Sequence, residues 1–181
     1  PILNTYGDGG YLIWRLWPEY RVFIDGRSLS ENIFMDYRIL FGALGPAGEL
    51  DRQRKLDKWG IQTIVLEAFQ PDGTIFPLAV WLTSEKQKDW KMVHADTRAM
   101  VFCRANTPGL AALTRAEIDS HIEAECAAMI NSTDPVPECA RAVGYYFGDR
   151  NDQARARHWL FEYVSRVPNP DPAVQRSLAG R

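Results

Sequence analysis

The 181-residue sequence predicts a mixed α/β fold, in which a small open three-layer sheet with flanking helices is followed by an all-helical region. Up to about Arg104, short β-rich runs alternate with segments of helical periodicity, a pattern typical of α/β layers. Beyond that point only helical periodicity continues, and five of the six tryptophans precede Cys103. We therefore expect an α/β domain over residues 1–104 and a helical region over residues 105–181.

The predicted strands are short apolar runs bounded by turn residues, at positions 21–25, 61–67, 91–94 and 99–103. The last two flank a polar turn and therefore predict a hairpin. Residues 1–4 precede a glycine-containing loop and are interpreted as the end of a neighbouring strand. The sheet of the first domain is expected to form from these runs.

The predicted helices of the first domain alternate with these strands and lie at positions 9–17, 31–41, 46–59 and 77–85. Pro46 and Pro77 suit the first turn of a helix, where the missing backbone N–H costs nothing. Gly60 suits a helix end. This alternation of strands and helices supports the α/β assignment.

The second region contains four predicted helices. Thr114 and Glu117 have the spacing of a capping box and open the first helix, which residues 131–137 interrupt. Further helices are expected at 138–147 and 152–167, and another begins near Asp171. Nothing in this region alternates with the period of a strand.

One segment of the helical region has the spacing of a known repeat. In a 34-residue window over residues 137–170, Gly144 and Ala156 are small where two helices would touch, while Phe147 and Leu160 are large. This spacing resembles one tetratricopeptide repeat. The alternative is an unrelated helical hairpin. Since one repeat does not bury its own apolar face, these helices are expected to need a neighbour.

Composition excludes several functional classes. With 21 Lys and Arg against 23 Asp and Glu, the net charge is −2, and no basic stretch predicts a nucleic-acid partner. Three cysteines are too few for a disulfide-rich scaffold, and 46% hydrophobic residues is typical of a globular fold. The longest uncharged stretches fall short of the roughly 18 to 20 apolar residues that a membrane span requires.

Candidate binding residues follow the first two apolar runs. Asp8 lies in the loop after residues 1–4, while Asp25 and Arg27 follow the run at 21–25. Because loops beyond the carboxyl ends of strands converge in an open α/β sheet, these side chains are expected at one edge. They suit a hydroxylated or cationic ligand, a divalent ion or acid–base chemistry. The structural alternative is that Asp8 caps a helix and that Asp25 pairs with Arg27 to order the turn.

Aromatic side chains cluster in the same region, at Tyr11, Trp14, Trp17 and Tyr20. Their spacing favours a helix face buried in the core, and stacking on sugars is the alternative. The nearby glycines at positions 7, 9 and 10 lack the spacing of a dinucleotide fingerprint, and Asp8 would repel a phosphate. We therefore predict no cofactor.

The sequence predicts neither a metal site nor a catalytic residue. His94, His121 and His158 are scattered, without a metal-ligand spacing, and no G-x-S-x-G elbow occurs. Cys126 and Cys139 flank the break between two predicted helices. They either face each other as a disulfide, given an oxidising compartment, or remain free thiols.

Several motifs together resemble a known family. These are NTYGDGGYLIW at 4–14, VFIDGR at 22–27, WKMVH at 90–94 with Asp96, and AMVF at 99–102. Over residues 2–104 the chain resembles the soluble C-terminal domain of bacterial multi-pass membrane proteins related to glycosyltransferases that use lipid-linked sugars. Some of these proteins end in tetratricopeptide repeats. Where the family carries an aromatic residue before the double glycine, this chain has Asp8.

The resemblance implies an extracytoplasmic domain, on the periplasmic or extracellular face of a bacterial membrane, anchored through a larger parent. The chain begins with Pro1 and lacks Met there, which also predicts a piece of a longer protein. In such proteins the catalytic carboxylates lie in loops of the membrane part. We therefore expect a non-catalytic domain that docks on the membrane-embedded part of its own parent.

This domain is expected to help recognise a glycan acceptor or a protein partner, with Asp8, Tyr11, Asp25 and Arg27 as binding residues. Two alternatives remain. The chain is a protein-interaction module that uses its helical repeat region, or it is a metal-dependent hydrolase or nuclease-like enzyme that uses Asp8 and Asp25 around a divalent ion.

Overall fold

A computed structural model describes residues 1–27, 30–42 and 46–179. The chain packs as two compact units. The first comprises Pro1–Glu67 and Phe76–Ile118, and the second comprises Ala68–Ile75 and the chain from Asp119 onward. The predicted division after residue 104 stays a prediction, while the mixed α/β character is confirmed.

The first unit is built around an open four-stranded sheet. Its strands are β1 (Ile2–Asn4), β2 (Thr63–Leu66), β3 (Trp90–Ala95) and β4 (Met100–Arg104), in the order β1-β2-β4-β3. The outer pair β1 and β2 is parallel, and the other two pairs are antiparallel. The predicted hairpin is therefore confirmed as β3 and β4.

A continuous apolar row crosses this sheet. Leu3 pairs with Ile64, Ile64 with Phe102, and Phe102 with Met92, so that one residue from each strand lies in register. All four side chains are buried. Removing such side chains from water is the main favourable contribution to folding, and the row thereby fixes the register of the four strands.

The predicted strand at residues 21–25 is wrong. This segment meets β1 only at an isolated bridge between Ile2 and Val22. Beyond the bridge, the buried amide of Asn4 replaces a ladder at Ile24, because its Nδ2 donates to the Ile24 carbonyl at 2.8 Å and its Oδ1 accepts from the Ile24 N–H at 3.5 Å. A side chain thus satisfies backbone groups that a neighbouring strand would otherwise pair.

The described residues form eight α-helices, and each lies within a few residues of its predicted position. They are α1 (Gly9–Leu16), α2 (Glu31–Phe41), α3 (Pro46–Lys58), α4 (Pro77–Leu82), α5 (Arg115–Ile130), α6 (Glu138–Gly148), α7 (Gln153–Arg166) and α8 (Pro172–Ala179). The capping box is confirmed, since the Thr114 N–H and hydroxyl both donate to Glu117 Oε2 at 2.7 Å. Within the described part of the chain, no helix is long and apolar enough to cross a membrane.

A buried carboxylate ties α2 to α3. Asp36 accepts hydrogen bonds from Lys55 Nζ, from Lys58 Nζ at 3.1 Å and from Trp59 Nε1 at 2.8 Å. Burial alone would raise the pKa of Asp36, but these donors outweigh it and lower the pKa to about 2. The Trp59 ring also packs edge-on against Phe23, with 5.4 Å between ring centres, and so links α3 to the segment at 21–27.

Small residues let α6 and α7 approach closely in the second unit. A Cβ added to Gly144 would lie 2.6 Å from Leu160 Cγ, and one added to Gly148 would lie 4.0 Å from Ala156 Cβ. From Gly144 to Gly148 the chain advances along α6, while the contacted residue on α7 changes from Leu160 to the earlier Ala156. The two helices are therefore antiparallel. A residue larger than glycine at position 144 would force Leu160 to move.

Covalent and polar contacts tie α5 to this hairpin. Cys126 on α5 and Cys139 on α6 are joined by a disulfide, and both residues are fully buried. Asp119 on α5 accepts from the Tyr146 hydroxyl at 2.9 Å and from Arg155 Nη2 at 3.2 Å. The third cysteine, Cys103, is a buried free thiol on β4.

Loss of the disulfide should destabilise the protein measurably. The bond joins residues 13 apart in sequence, and closing a loop of this length stabilises the folded state by about 3 kcal/mol in the chain-entropy account. We expect the Cys126→Ala/Cys139→Ala double variant to unfold at lower urea concentration than the wild type. Alkylation of the unfolded protein, followed by mass spectrometry, should label one cysteine without reductant and three with it. Equal labelling of all three in both samples would contradict the bond.

Candidate functional site

The aromatic side chains around α1 lie at the surface, so the prediction of a buried aromatic face is wrong. Tyr11, Trp14, Trp17 and Tyr20 are 61, 75, 61 and 57% exposed. The helix turns a different face inward, one that combines buried Gly9 with the partly buried aliphatic residues Leu12, Ile13 and Leu16. This spacing of three, four and seven residues is that of a single helix face and was visible in the sequence.

Gly9, the first residue of α1, packs directly on the backbone of Ile24 and Asp25. A Cβ added to Gly9 would lie 2.2 Å from the Ile24 carbonyl oxygen and 2.6 Å from Asp25 Cα. No real side chain tolerates such distances. The missing side chain of Gly9 therefore sets how close α1 comes to residues 24 and 25, and through them it positions the Asp25 carboxylate.

Asp25 and Arg27 form a bidentate ion pair. Arg27 Nε donates to Asp25 Oδ1 and Arg27 Nη2 donates to Oδ2, both at 2.8 Å, while the Arg27 backbone N–H adds a third bond to Oδ1 at 2.9 Å. The side-chain and backbone bonds from Arg27 lower the pKa of Asp25 to about 2, so the carboxylate is charged at neutral pH. The Asp25 side chain is 17% exposed and that of Arg27 is 66% exposed.

The ion pair lines a surface pocket together with the end of the aromatic cluster. The pocket has a volume of about 410 Å³ and is lined by Ile13, Trp17, Tyr20, Arg21, Val22, Asp25 and Arg27. It therefore combines aromatic rings with one carboxylate and two guanidinium groups. Such a combination offers an apolar surface for stacking and fixed polar groups for orientation, as small-molecule sites do.

The structure separates the four candidate residues into two groups. Asp25 and Arg27 lie in the pocket lining, whereas Asp8 and Tyr11 do not. Asp8 occupies the N-cap position of α1 without a capping hydrogen bond from its side chain, and it accepts instead from the Thr5 hydroxyl. The Tyr11 ring lies beside Trp14, with 6.1 Å between ring centres.

Sequence reasoning missed Arg21 as a lining residue and assigned Trp17 and Tyr20 to the core. Trp17 and Tyr20 lie beyond α1, which ends at Leu16, so the helical spacing that assigned them to a buried face does not apply to them. Arg21 is exposed, and its side chain makes no ion pair or hydrogen bond among the described residues.

Two of the three histidines lie beside a carboxylate. His94 lies 3.2 Å from Asp96, and His121 lies 3.2 Å from Glu125. In the part of the chain that the structure describes, no three His, Cys, Asp or Glu side chains are grouped so as to hold a metal ion. The pocket beside α1 is therefore the candidate site.

The close approach of Gly9 is directly testable. Gly9→Ala should destabilise the protein by about 1 to 3 kcal/mol or more, because overpacking forces the backbone apart. Gly10→Ala is the matched control, since a Cβ at Gly10 meets nothing within 4 Å, and it should be neutral or stabilising by up to about 1 kcal/mol. Urea unfolding of the three proteins measures both effects. Equal stability of the two variants would show that α1 does not rest on residues 24 and 25.

No protein-family model, curated protein or solved structure matches this chain.

Proposed function

We propose that this chain is a non-catalytic recognition domain that binds the sugar of a glycan acceptor in the pocket beside α1. The observation that carries the proposal is the exposure of Trp17 and Tyr20 next to the Asp25–Arg27 ion pair. A sugar ring has an apolar face that stacks on an aromatic ring and an edge of hydroxyls that hydrogen-bonds to charged groups. The pocket offers both.

Preorganisation supports the same proposal. Three hydrogen bonds from Arg27 hold the Asp25 carboxylate in one orientation. Binding therefore does not have to immobilise that side chain, which is one of the usual entropic costs of association. The exposed part of the Arg27 guanidinium keeps donors available to a ligand, since a guanidinium has five N–H groups and the ion pair uses two of them.

The geometry favours recognition over hydrolysis. A hydrolase using Asp8 and Asp25 around a divalent ion requires both carboxylates to reach one point, because such ions take several oxygen ligands. Asp8 lies outside the pocket lining and is bonded to Thr5, while both oxygens of Asp25 accept from Arg27. This arrangement supports a binding role for Asp25.

The proposed setting is the periplasmic or extracellular face of a bacterial membrane, where the domain docks on the membrane-embedded part of its own glycosyltransferase-type parent. The disulfide between Cys126 and Cys139 supports this setting, since such bonds persist in oxidising compartments. A domain placed there meets lipid-linked or surface glycans as its acceptors. We also propose that the sheet and its flanking helices form a three-layer arrangement.

A second candidate function is protein interaction through a tetratricopeptide-like hairpin. Its support is the close antiparallel packing of α6 and α7 through Gly144, together with an open groove of about 690 Å³ on α7 and α8. Phe161 lines this groove and is 63% exposed. An amphipathic helix of a partner protein fits such an apolar groove. Phe161→Ser should weaken the binding of such a partner and leave sugar binding unchanged.

Trp17 gives the sharpest test of sugar recognition. We expect the wild type to bind maltotetraose or tetragalacturonate in isothermal titration calorimetry. Trp17→Ala should weaken that binding about tenfold, since an aromatic contact contributes about 1 kcal/mol beyond the apolar area it buries. The matched control is Trp14→Ala, because Trp14 is more exposed than Trp17 but does not line the pocket. Its affinity should stay within twofold of the wild type.

Two results would contradict the proposal. One is the absence of binding to both oligosaccharides. The other is an equal loss of affinity in the two tryptophan variants, which would indicate non-specific adsorption to the exposed aromatic surface.

A further inference from the structure

The charges of the pocket lining are unequal. Arg21, Asp25 and Arg27 are its ionisable side chains, and they sum to one positive charge. Because Asp25 and Arg27 are paired in a bidentate geometry, they cancel each other at short range. The excess positive charge of the pocket therefore resides on Arg21.

Arg21 has no counter-ion of its own in the described part of the chain. The neighbouring ion pair does not supply one, since both oxygens of Asp25 are occupied by Arg27. An arginine that has no ion-pair partner among the described residues, beside exposed aromatic rings, is a donor of planar geometry that matches a carboxylate.

We propose that the pocket selects an acidic sugar, one that carries a carboxylate, and that Arg21 pairs with this carboxylate. The proposal rests on the proposed function and adds the chemical class of the ligand. The sugar ring stacks on Trp17 or Tyr20, and its acid group pairs with Arg21.

Desolvation gives the physical reason for this selectivity. A sugar seated in the pocket removes water from the Arg21 guanidinium, and an unpaired charged group that loses water costs free energy. A carboxylate on the sugar offsets that cost with charge-assisted hydrogen bonds, whereas the hydroxyls of a neutral sugar offset it less. The pocket therefore discriminates by the sign of the ligand's charge as well as by stacking.

The test compares two probes that share one sugar backbone and differ at the carboxyl group, which is charged in one and methylated and neutral in the other. These are tetragalacturonate and its fully methyl-esterified, neutral form, each titrated into the full chain at low ionic strength. We expect the acid to bind about fivefold more tightly, since an exposed ion pair contributes up to about 1 kcal/mol. Raising the salt concentration should reduce the preference, because screening weakens an exposed pair.

Arg21→Gln should remove the preference for the acid, because it lowers the affinity for tetragalacturonate and does not lower the affinity for the ester. The matched control is Arg98→Gln, since Arg98 is an exposed arginine in the turn between β3 and β4 and lies outside the pocket lining. This variant should keep the wild-type preference. Thermal unfolding of both variants confirms that each one folds.

The outcomes separate the two proposals. Equal affinity of the wild type for acid and ester would overturn the selection of an acidic sugar and leave sugar recognition standing. A preference that survives Arg21→Gln, or that does not respond to salt, would also overturn it. If neither form binds, the acidic-sugar inference is wrong, and maltotetraose binding then decides whether sugar recognition itself stands.

Discussion

The buried side chain of Asn4 holds the backbone of Phe23 and Ile24 in place, directly before the candidate binding residue Asp25. Asn4 is fully buried, and its amide nitrogen donates to the carbonyls of Thr5 and Ile24, both at 2.8 Å, while its oxygen accepts from the Phe23 N–H. An unsatisfied amide at this position would cost about 1 to 3 kcal/mol. The site depends on this contact because Asp25 directly follows Ile24 and because α1 rests on the same backbone through Gly9.

Much of the fold was predictable because it follows from local patterns. The hairpin of β3 and β4 and the bounds of α2 follow from periodicity and turn residues, which act over a few neighbours. The strand predicted at 21–25 was wrong because its pairing with β1 stops at one bridge, beyond which the side chain of Asn4, a residue distant in sequence, satisfies the backbone of Ile24. No pattern within residues 21–25 reveals such a partner.

The candidate site was predictable only in part. Asp25 and Arg27 were identified through their place after an apolar run, and they do line one pocket. The aromatic residues were assigned to the core, since large rings are usually buried. Tyr11 and Trp14 are exposed because Gly9 and the aliphatic residues occupy the inward face of α1, whereas Trp17 and Tyr20 follow the end of the helix. A cluster of exposed aromatic side chains is typical of an interaction site.

Sugar binding in the pocket beside α1 is tested most directly by NMR, by recording the indole N–H signals of the six tryptophans while tetragalacturonate is added. We expect the Trp17 signal to shift and to saturate, while the signals of Trp14 and of Trp59, which is hydrogen-bonded to Asp36, stay in place. A Trp17 signal that does not move, or a Trp14 signal that moves equally, would contradict the claim that the pocket beside α1 is the binding site.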